Sequence, residues 1–270
     1  IHLILRRNNS AGGSDIFGNN LTDVDFSAAC GETPGEGGSD EEEDTKVYTD
    51  LSADGTANCY LIQQAGDYKF KSVIGNTDAT VGNVKSVEVL WESFGTDEMP
   101  NVGDLIASVS YKNGYIRFST PENFRDGNAV IAAKNSKGMI LWSWHIWCAE
   151  EGWQEQVYYN NAGTMMDRNI GATSATPGDV GALGLLYQWG RKDPFLGSSS
   201  ISSSATAMST ITWPSKVSSN SSNCTIEYAT SHPTTFITFN SYNVDWYYTG
   251  SSSTDNTRWT TSGKPKSIYD

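Results

Sequence analysis

Short runs of alternating apolar and polar residues dominate the first half of the chain after residue 46. Residues 67–73 alternate for most of their length, as a strand with one buried face does. The next run is predicted to carry Val87, Val89 and Trp91 on one face. Strands that recur about every ten residues, with turn residues between them, predict an immunoglobulin-like β-sandwich over residues 47–149.

Two hairpins are predicted within this sandwich. Asn113 and Gly114 separate two alternating runs, and Asn-Gly favours a type I′ turn because both turn positions need a positive φ angle. The second hairpin is predicted to join residues 129–133 to residues 139–148 around the loop Asn135–Gly138. Both hairpins favour an antiparallel arrangement of neighbouring strands.

The run of residues 139–148 contains three tryptophans, and strand alternation divides its side chains between two faces. One face is predicted to carry Trp142, Trp144 and Ile146, and the other Leu141, Ser143, His145 and Trp147. We interpret the first face as hydrophobic core rather than as a platform for sugar rings. We likewise interpret His145 as an ordinary strand residue rather than as a catalytic base.

The residues that follow predict a smaller, irregular α+β module at 150–270, after a polar junction at 150–156. Strands are predicted at 157–159 and 165–170. The apolar spacing of residues 179–189 favours a short helix, with Asp179 as its N-cap and Gly190 near its end. Two glycines, Gly181 and Gly184, weaken this helix, and close backbone packing would explain their presence.

The N-terminal part predicts no complete domain. Residues 1–7 read as a strand without a nearby partner, and residues 1–30 are interpreted as the end of an upstream domain. Residues 31–46 are predicted to be a solvated acidic linker, because like charges, Gly and Pro cannot bury apolar area. An acidic run can also bind calcium, but this one lacks the alternating carboxylates and glycine turn of a calcium loop.

Composition and motifs exclude some classes of function. The net charge of −13 and the absence of Lys/Arg clusters argue against a nucleic-acid partner. There is no initiator Met, no signal peptide and no long apolar run, so we expect a mature or cut piece of a longer protein. The cysteines Cys30, Cys59, Cys148 and Cys224 have no C-x-x-C spacing, so a structural zinc site is not expected. Two disulfides and four free thiols both remain open.

Two segments of the module resemble a known family. Residues 167–171 read DRNIG and residues 185–195 read LLYQWGRKDPF. Together they resemble the Fibrobacter succinogenes major paralogous domain, whose members carry an RNLG strand followed by a YGxLYxWGR helix. Ile170 stands in place of the Leu of that pattern, and Leu183 in place of its first Tyr.

The segment at residues 50–60 and the predicted sandwich are similar to what precedes this module in fimbrillin-like surface proteins of Bacteroides. The resemblance covers residues 45–270 and implies an exported protein of the Bacteroidetes. Family members continue into a Cys-Pro-x-Gly-Trp-Arg-Val-Pro segment, whereas this sequence ends at Asp270 before one occurs. We therefore expect an incomplete module, with Leu185, Leu186, Tyr187 and Trp189 in its core.

Residues 197–262 are rich in Ser and Thr, with aromatic residues at intervals. Exposed Trp and Tyr side chains can stack on sugar rings or fill protein pockets, and long loops often carry binding sites. The candidate ligand-binding residues are Trp246, Tyr247, Tyr248 and Trp259. The alternative is that these side chains form the core of the module.

No nucleophile, zinc-protease or phosphate-loop motif occurs, so no catalytic residue, metal or cofactor is predicted. The first hypothesis is a non-enzymatic adhesin or structural subunit of a fimbria, located at the outer membrane surface or outside the cell. Its expected partners are other fimbrial subunits or copies of itself, assembled by strand exchange, and a glycan or host surface protein. The alternative is a polysaccharide-active enzyme or its carbohydrate-binding accessory module. A spacer without a ligand is the third hypothesis.

Overall fold

The computed structural model describes residues 46–160, 163–214, 216–238 and 246–247, and the backbone of two short strands at 260–261 and 264–265. The described residues from 47 onwards belong to one compact unit. The predicted strand at residues 1–7 and nearly all of the predicted linker lie outside the described residues. The described part is mainly β, which confirms the predicted fold class.

Eight strands form two four-stranded sheets. Their bounds are Thr49–Asp50 (β1), Cys59–Ile62 (β2), Asp67–Lys71 (β3), Ser86–Ser93 (β4), Ser108–Lys112 (β5), Tyr115–Ser119 (β6), Gly127–Lys134 (β7) and Ile140–Cys148 (β8). The first sheet has the order β1-β3-β6-β5 and the second the order β2-β8-β7-β4. The pairs β1/β3 and β2/β8 are parallel, and the other pairs are antiparallel.

Both predicted hairpins are present. Asn113 and Gly114 connect β5 to β6 with φ angles of 53° and 81°, so both turn residues have the positive φ that the Asn-Gly sequence predicts. The antiparallel pair β7/β8 is the second hairpin, and Gly138 in its loop also has a positive φ, of 77°.

The two sheets pack face to face around an aromatic core. The sheet β1-β3-β6-β5 contributes Phe70, Ile116 and Phe118 to it, and the other sheet contributes Ile131, Trp144 and Ile146. Phe70 lies between the layers, with its ring centroid 4.8 Å from that of Tyr60 and 5.3 Å from that of Trp144. The face that carries Trp142, Trp144 and Ile146 is therefore core, as predicted.

The prediction that Val87, Val89 and Trp91 share one face is wrong. The register of β4 against β7 shifts between Val89 and Trp91. This β-bulge turns Trp91 away from the sandwich core to which Val87 and Val89 belong. Trp91 instead packs with Val130 and Leu185 on the outer face of the sheet.

The elements after β8 are short. They comprise the strands Glu155–Val157 (β9), Thr164–Met166 (β10), Leu186–Tyr187 (β11), Pro194–Phe195 (β12), Val217–Ser218 (β13), Ile237–Thr238 (β14), Thr260–Thr261 (β15) and Lys264–Pro265 (β16), a 3-10 helix at Val180–Ala182 and the helix Ile226–Ser231 (α1). β9/β10, β11/β12 and β15/β16 pair antiparallel, whereas β13/β14 pair parallel.

The predicted helix at residues 179–189 is wrong beyond its first turn. Asp179 is the N-cap, with its carboxylate accepting from the Gly181 amide at 3.0 Å, but only the 3-10 helix follows. Gly184 has a φ of +67°, and a Cβ there would lie 2.9 Å from the Ile170 carbonyl oxygen. A Cβ on Gly181 would lie 2.7 Å from Thr173 Oγ1, so the expected close packing is present at both glycines.

One buried carboxylate fixes a loop against the second sheet. Glu92 on β4 is 1% exposed. Its Oε1 accepts hydrogen bonds from the amides of Leu105 and Ile106 at 2.9 and 2.7 Å, and its Oε2 accepts from the Gly103 amide at 2.7 Å. Three backbone donors that burial would otherwise leave unpaired are thus satisfied by a single side chain.

We expect Glu92→Gln to lower the free energy of unfolding by about 2 kcal/mol, because one acceptor oxygen becomes an NH2 group that faces a backbone donor. The matched control is Glu88→Gln on the same strand, whose half-exposed side chain pairs with Lys134. Its loss should cost less than about 1 kcal/mol. Urea denaturation of both variants measures the difference, and equal effects would contradict the role given to Glu92.

Candidate functional site

An open groove of about 510 Å³ lies beside the β9/β10 hairpin. Its lining residues are Trp153, Glu155, Thr164, Met165, Met166, Arg168, Asn169 and Ile170. Trp153, Met165 and Ile170 are 39%, 63% and 43% exposed, so much of their apolar surface faces water. A groove that combines exposed apolar side chains with a few amide, hydroxyl and carboxylate groups has the composition of a ligand site.

Hydrogen bonds hold the backbone next to the groove in place. The amides of Gln154 and Asp167 bond to Asp167 Oδ1 and the Gln154 carbonyl at 3.1 and 3.0 Å, which closes the base of the hairpin. Arg168 donates from Nε and Nη2 to the two Asp167 oxygens, each at 3.0 Å. These hydrogen bonds lower the pKa of Asp167 and raise that of Arg168. The two charges offset each other, so the groove is not a strongly cationic site.

The core prediction for the 185–189 segment is correct only in part. Leu185 is buried and packs with Trp91 and Val130. Leu186 and Trp189 are 56% and 63% exposed, and Tyr187 is partly exposed. The reason is that residues 186–187 form an extended β-strand, so these side chains do not line one helical face as the sequence pattern implied.

The aromatic residues predicted to bind a ligand lie elsewhere. Trp246 is 3% exposed, and its Nε1 donates to the Trp189 carbonyl at 2.7 Å. It packs with Cys224 and Ile237, so its ring is not available for stacking on a ligand. Tyr247 is half-buried beside it, and the two ring centroids are 5.8 Å apart. Tyr248 and Trp259 lie outside the described residues.

The residues Gln188 and Arg191 connect the segment to α1 and β14. The Gln188 side chain bonds to both the amide and the carbonyl of Ile237, at 3.2 and 2.7 Å. Arg191 is buried and donates to the carbonyls of Thr235 and His232 at 2.7 and 2.8 Å. Because His232 caps the C-terminal end of α1, this guanidinium binds where the helix dipole is negative.

Lys192 and Asp193 connect the same segment to β8. Asp193 Oδ1 accepts from Ser143 Oγ at 2.6 Å and from Lys192 Nζ at 2.5 Å, and Lys192 Nζ also donates to Ser143 Oγ at 2.5 Å. The three side chains, which we call the Ser143 cluster, are buried. Burial lowers the pKa of Lys192, although the Asp193 carboxylate partly offsets this effect. The cluster is a closed structural contact without access for a substrate.

His145 lies two residues further along β8 and faces the same way. It is buried, and its Nε2 lies 2.9 Å from Asn128 Oδ1. Burial lowers the pKa of His145 to about 3, because the surroundings disfavour the imidazolium. The side chain is therefore neutral at physiological pH.

Sequence reasoning missed the groove because it treated residues 150–156 as a polar junction. The signal was present in Trp153, in the apolar run 157–159 and in Met165, which together exceed what one short hairpin can bury. Val157 and Tyr159 are accordingly 65% and 84% exposed. Exposed apolar residues in this density mark an interaction surface.

No protein family, no curated protein and no solved structure matches this chain. Within the described ranges, no set of three or more His, Cys, Asp or Glu side chains is placed to bind a metal ion. The same ranges contain no helix with the length and apolar character needed to cross a membrane.

We expect Asp193→Asn to destabilise the protein by about 3 kcal/mol, because it leaves the buried Lys192 ammonium without its carboxylate. Asp54→Asn, at an exposed position, is the control and should change stability by less than about 0.5 kcal/mol. Thermal or urea unfolding measures both. A small effect at Asp193 would show that Lys192 is neutral in the folded protein.

His145 should make stability depend on pH. Its pKa falls from 6.5 to about 3 on folding, so the unfolded chain binds the proton more tightly. The contribution of the neutral imidazole is fully present above pH 6.5 and is lost as the pH falls towards 3, by roughly 1.4 kcal/mol per pH unit. Comparing urea unfolding of the native protein and His145→Gln between these limits isolates the effect. Parallel pH profiles would contradict it.

Proposed function

We propose that the protein is a cell-surface or fimbrial recognition protein that binds a glycan in the groove beside the β9/β10 hairpin. The observation that carries this proposal is the exposed indole of Trp153, next to the polar side chains of Glu155, Thr164 and Asn169. An indole face can stack on the apolar face of a sugar ring. The neighbouring carboxylate, hydroxyl and amide groups can bond to sugar hydroxyls.

The charge and the resemblance support the same role. A net charge of −13 favours neutral or polar ligands over phosphate-rich ones. The resemblance of residues 50–60 and 167–195 to fimbrillin-like surface proteins and to the Fibrobacter succinogenes major paralogous domain supports a location outside the cell. Other fimbrial subunits or further copies of this chain are then the expected structural partners.

Assembly by strand exchange is the second part of the proposal. Strand β5 lies at the end of its sheet, where an added strand from another copy could pair with it. The predicted strand at residues 1–7 would supply such a partner, although it lies outside the described residues.

We expect a glycan array to identify a ligand for the native chain. Trp153→Ala should bind that ligand at least about tenfold more weakly, because the stacking surface is removed. The matched control is Trp189→Ala, which removes another exposed indole away from the groove lining. Isothermal titration calorimetry with the identified glycan gives both affinities. No array signal, or equal losses in the two variants, would contradict the groove as a glycan site.

A further inference from the structure

Three side chains with complementary chemistry meet on the outer face of the second sheet. They come from three adjacent strands: Cys59 from β2, His145 from β8 and Asn128 from β7. Cys59 and His145 are directly paired in the β2/β8 register. They are 86 residues apart in the sequence, and Asn128 is 17 residues from His145. No local sequence motif predicts this group of three residues, and none of them lines the groove.

Hydrogen bonds determine the tautomer of the imidazole. Asn128 donates from Nδ2 to the Gly171 carbonyl at 2.9 Å, which turns its Oδ1 towards His145 Nε2. Because Oδ1 only accepts, Nε2 carries the hydrogen and Nδ1 keeps its lone pair. That lone pair faces Cys59 Sγ at 3.1 Å.

This arrangement is that of a nucleophile, its base and the group that orients the base. A thiol beside an imidazole nitrogen, with an amide oxygen on the opposite ring nitrogen, is the order in which Cys-His-Asn hydrolases place these groups. The thiol also satisfies the buried Nδ1 acceptor, so reactivity rather than geometry distinguishes a catalytic pair from a structural hydrogen bond.

Tyr187 covers the pair. Its hydroxyl lies 3.4 Å from His145 Nδ1, while the residue as a whole is 37% exposed. Burial raises the pKa of the Cys59 thiol to about 12 and raises the pKa of Tyr187 well above its ordinary value. Together with the neutral His145, these shifts mean that the covered site holds an uncharged thiol. Displacing one surface side chain would admit both water and a reactant.

We propose that Cys59 is a latent nucleophile that takes an acyl group from an ester when Tyr187 moves aside, with His145 as its general base. The sulfur attacks the carbonyl carbon while the thiol proton passes to His145 Nδ1. The bond between that carbon and the alkoxide oxygen then breaks, and His145 returns the proton to the leaving alkoxide. The products are a thioester on Cys59 and an alcohol, and water then hydrolyses the thioester. Asn128 is a positioning residue that holds the imidazole.

The test uses the full chain and the ester p-nitrophenyl acetate. The variants are the native chain, Tyr187→Ala, Tyr187→Ala with Cys59→Ser, and Tyr187→Ala with His145→Gln. Mass spectrometry of peptides locates the acetyl group, and absorbance follows p-nitrophenolate. Tyr158→Ala removes a tyrosine of similar exposure from the β9/β10 region and is the matched control. Cys148 and Cys224 are fully buried and serve as internal comparators.

We expect p-nitrophenyl acetate to acetylate Cys59 about tenfold faster in Tyr187→Ala than in the native chain. Cys148 and Cys224 should stay unmodified. Adding His145→Gln should lower that rate by about a hundredfold, the usual contribution of a general base. Tyr158→Ala should behave like the native chain. Circular dichroism checks that each variant is folded. If His145→Gln is not folded, the pH profile of Tyr187→Ala decides instead.

In that profile, acetylation assisted by the imidazole reaches a plateau once the imidazole has lost its proton, whereas an unassisted thiol continues to gain rate as the pH approaches its own pKa. Adding Asn128→Ala should shift the pH at which the acetylation rate reaches half of its plateau value. A purely structural role of Asn128 would not shift it. No acetyl group on Cys59 in Tyr187→Ala, no effect of His145→Gln, or a rate that rises without a plateau would each overturn the proposal.

Discussion

The burial of strand β8 on both of its faces is the constraint on which the rest of the structure depends. One face supplies Trp144 and Ile146 to the sandwich core, and the other carries side chains that need polar partners once water is removed. Trp147 Nε1 donates a hydrogen bond to the Ala172 carbonyl at 3.1 Å, and Ser143 Oγ donates one to Asp193 Oδ1. Since both partners come from residues after 170, the sandwich and the segment that follows it stabilise each other.

The residues of the WGRKDPF run act mainly as connectors. Arg191 binds carbonyls at the end of α1, and Asp193 binds Ser143. Arg191 and Asp193, two positions apart in the chain, thus bind groups on different elements, which fixes the orientation of the backbone between them. With its polar anchors committed in this way, the segment leaves Leu186 and Trp189 at the surface. The motif residues predicted to be core are therefore divided, with Leu185 buried and Leu186 and Trp189 exposed.

Local patterns predicted the features that depend on neighbouring residues. The Asn113-Gly114 turn and the two faces of β8 follow from turn chemistry and strand alternation alone. The bulge before Trp91 could not be predicted, because it depends on what Trp91 meets on the outer face of the sheet. The burial of Trp246 likewise depends on a partner 57 residues away, the Trp189 carbonyl. Alternation and helical spacing describe one element, and they do not describe what covers it.

The same constraint links the covering segment to the chemistry beneath it. A half-buried thiol and a buried imidazole are tolerated while both are neutral, and the pair is destabilised when a proton moves from one to the other. The raised pKa of Cys59 and the lowered pKa of His145 both favour the neutral forms of the covered pair. Water is needed to support the separated charges, and Tyr187 stands between water and the pair. Because Tyr187 belongs to the segment anchored by Asp193, the stability of that docking sets how often the thiol is exposed.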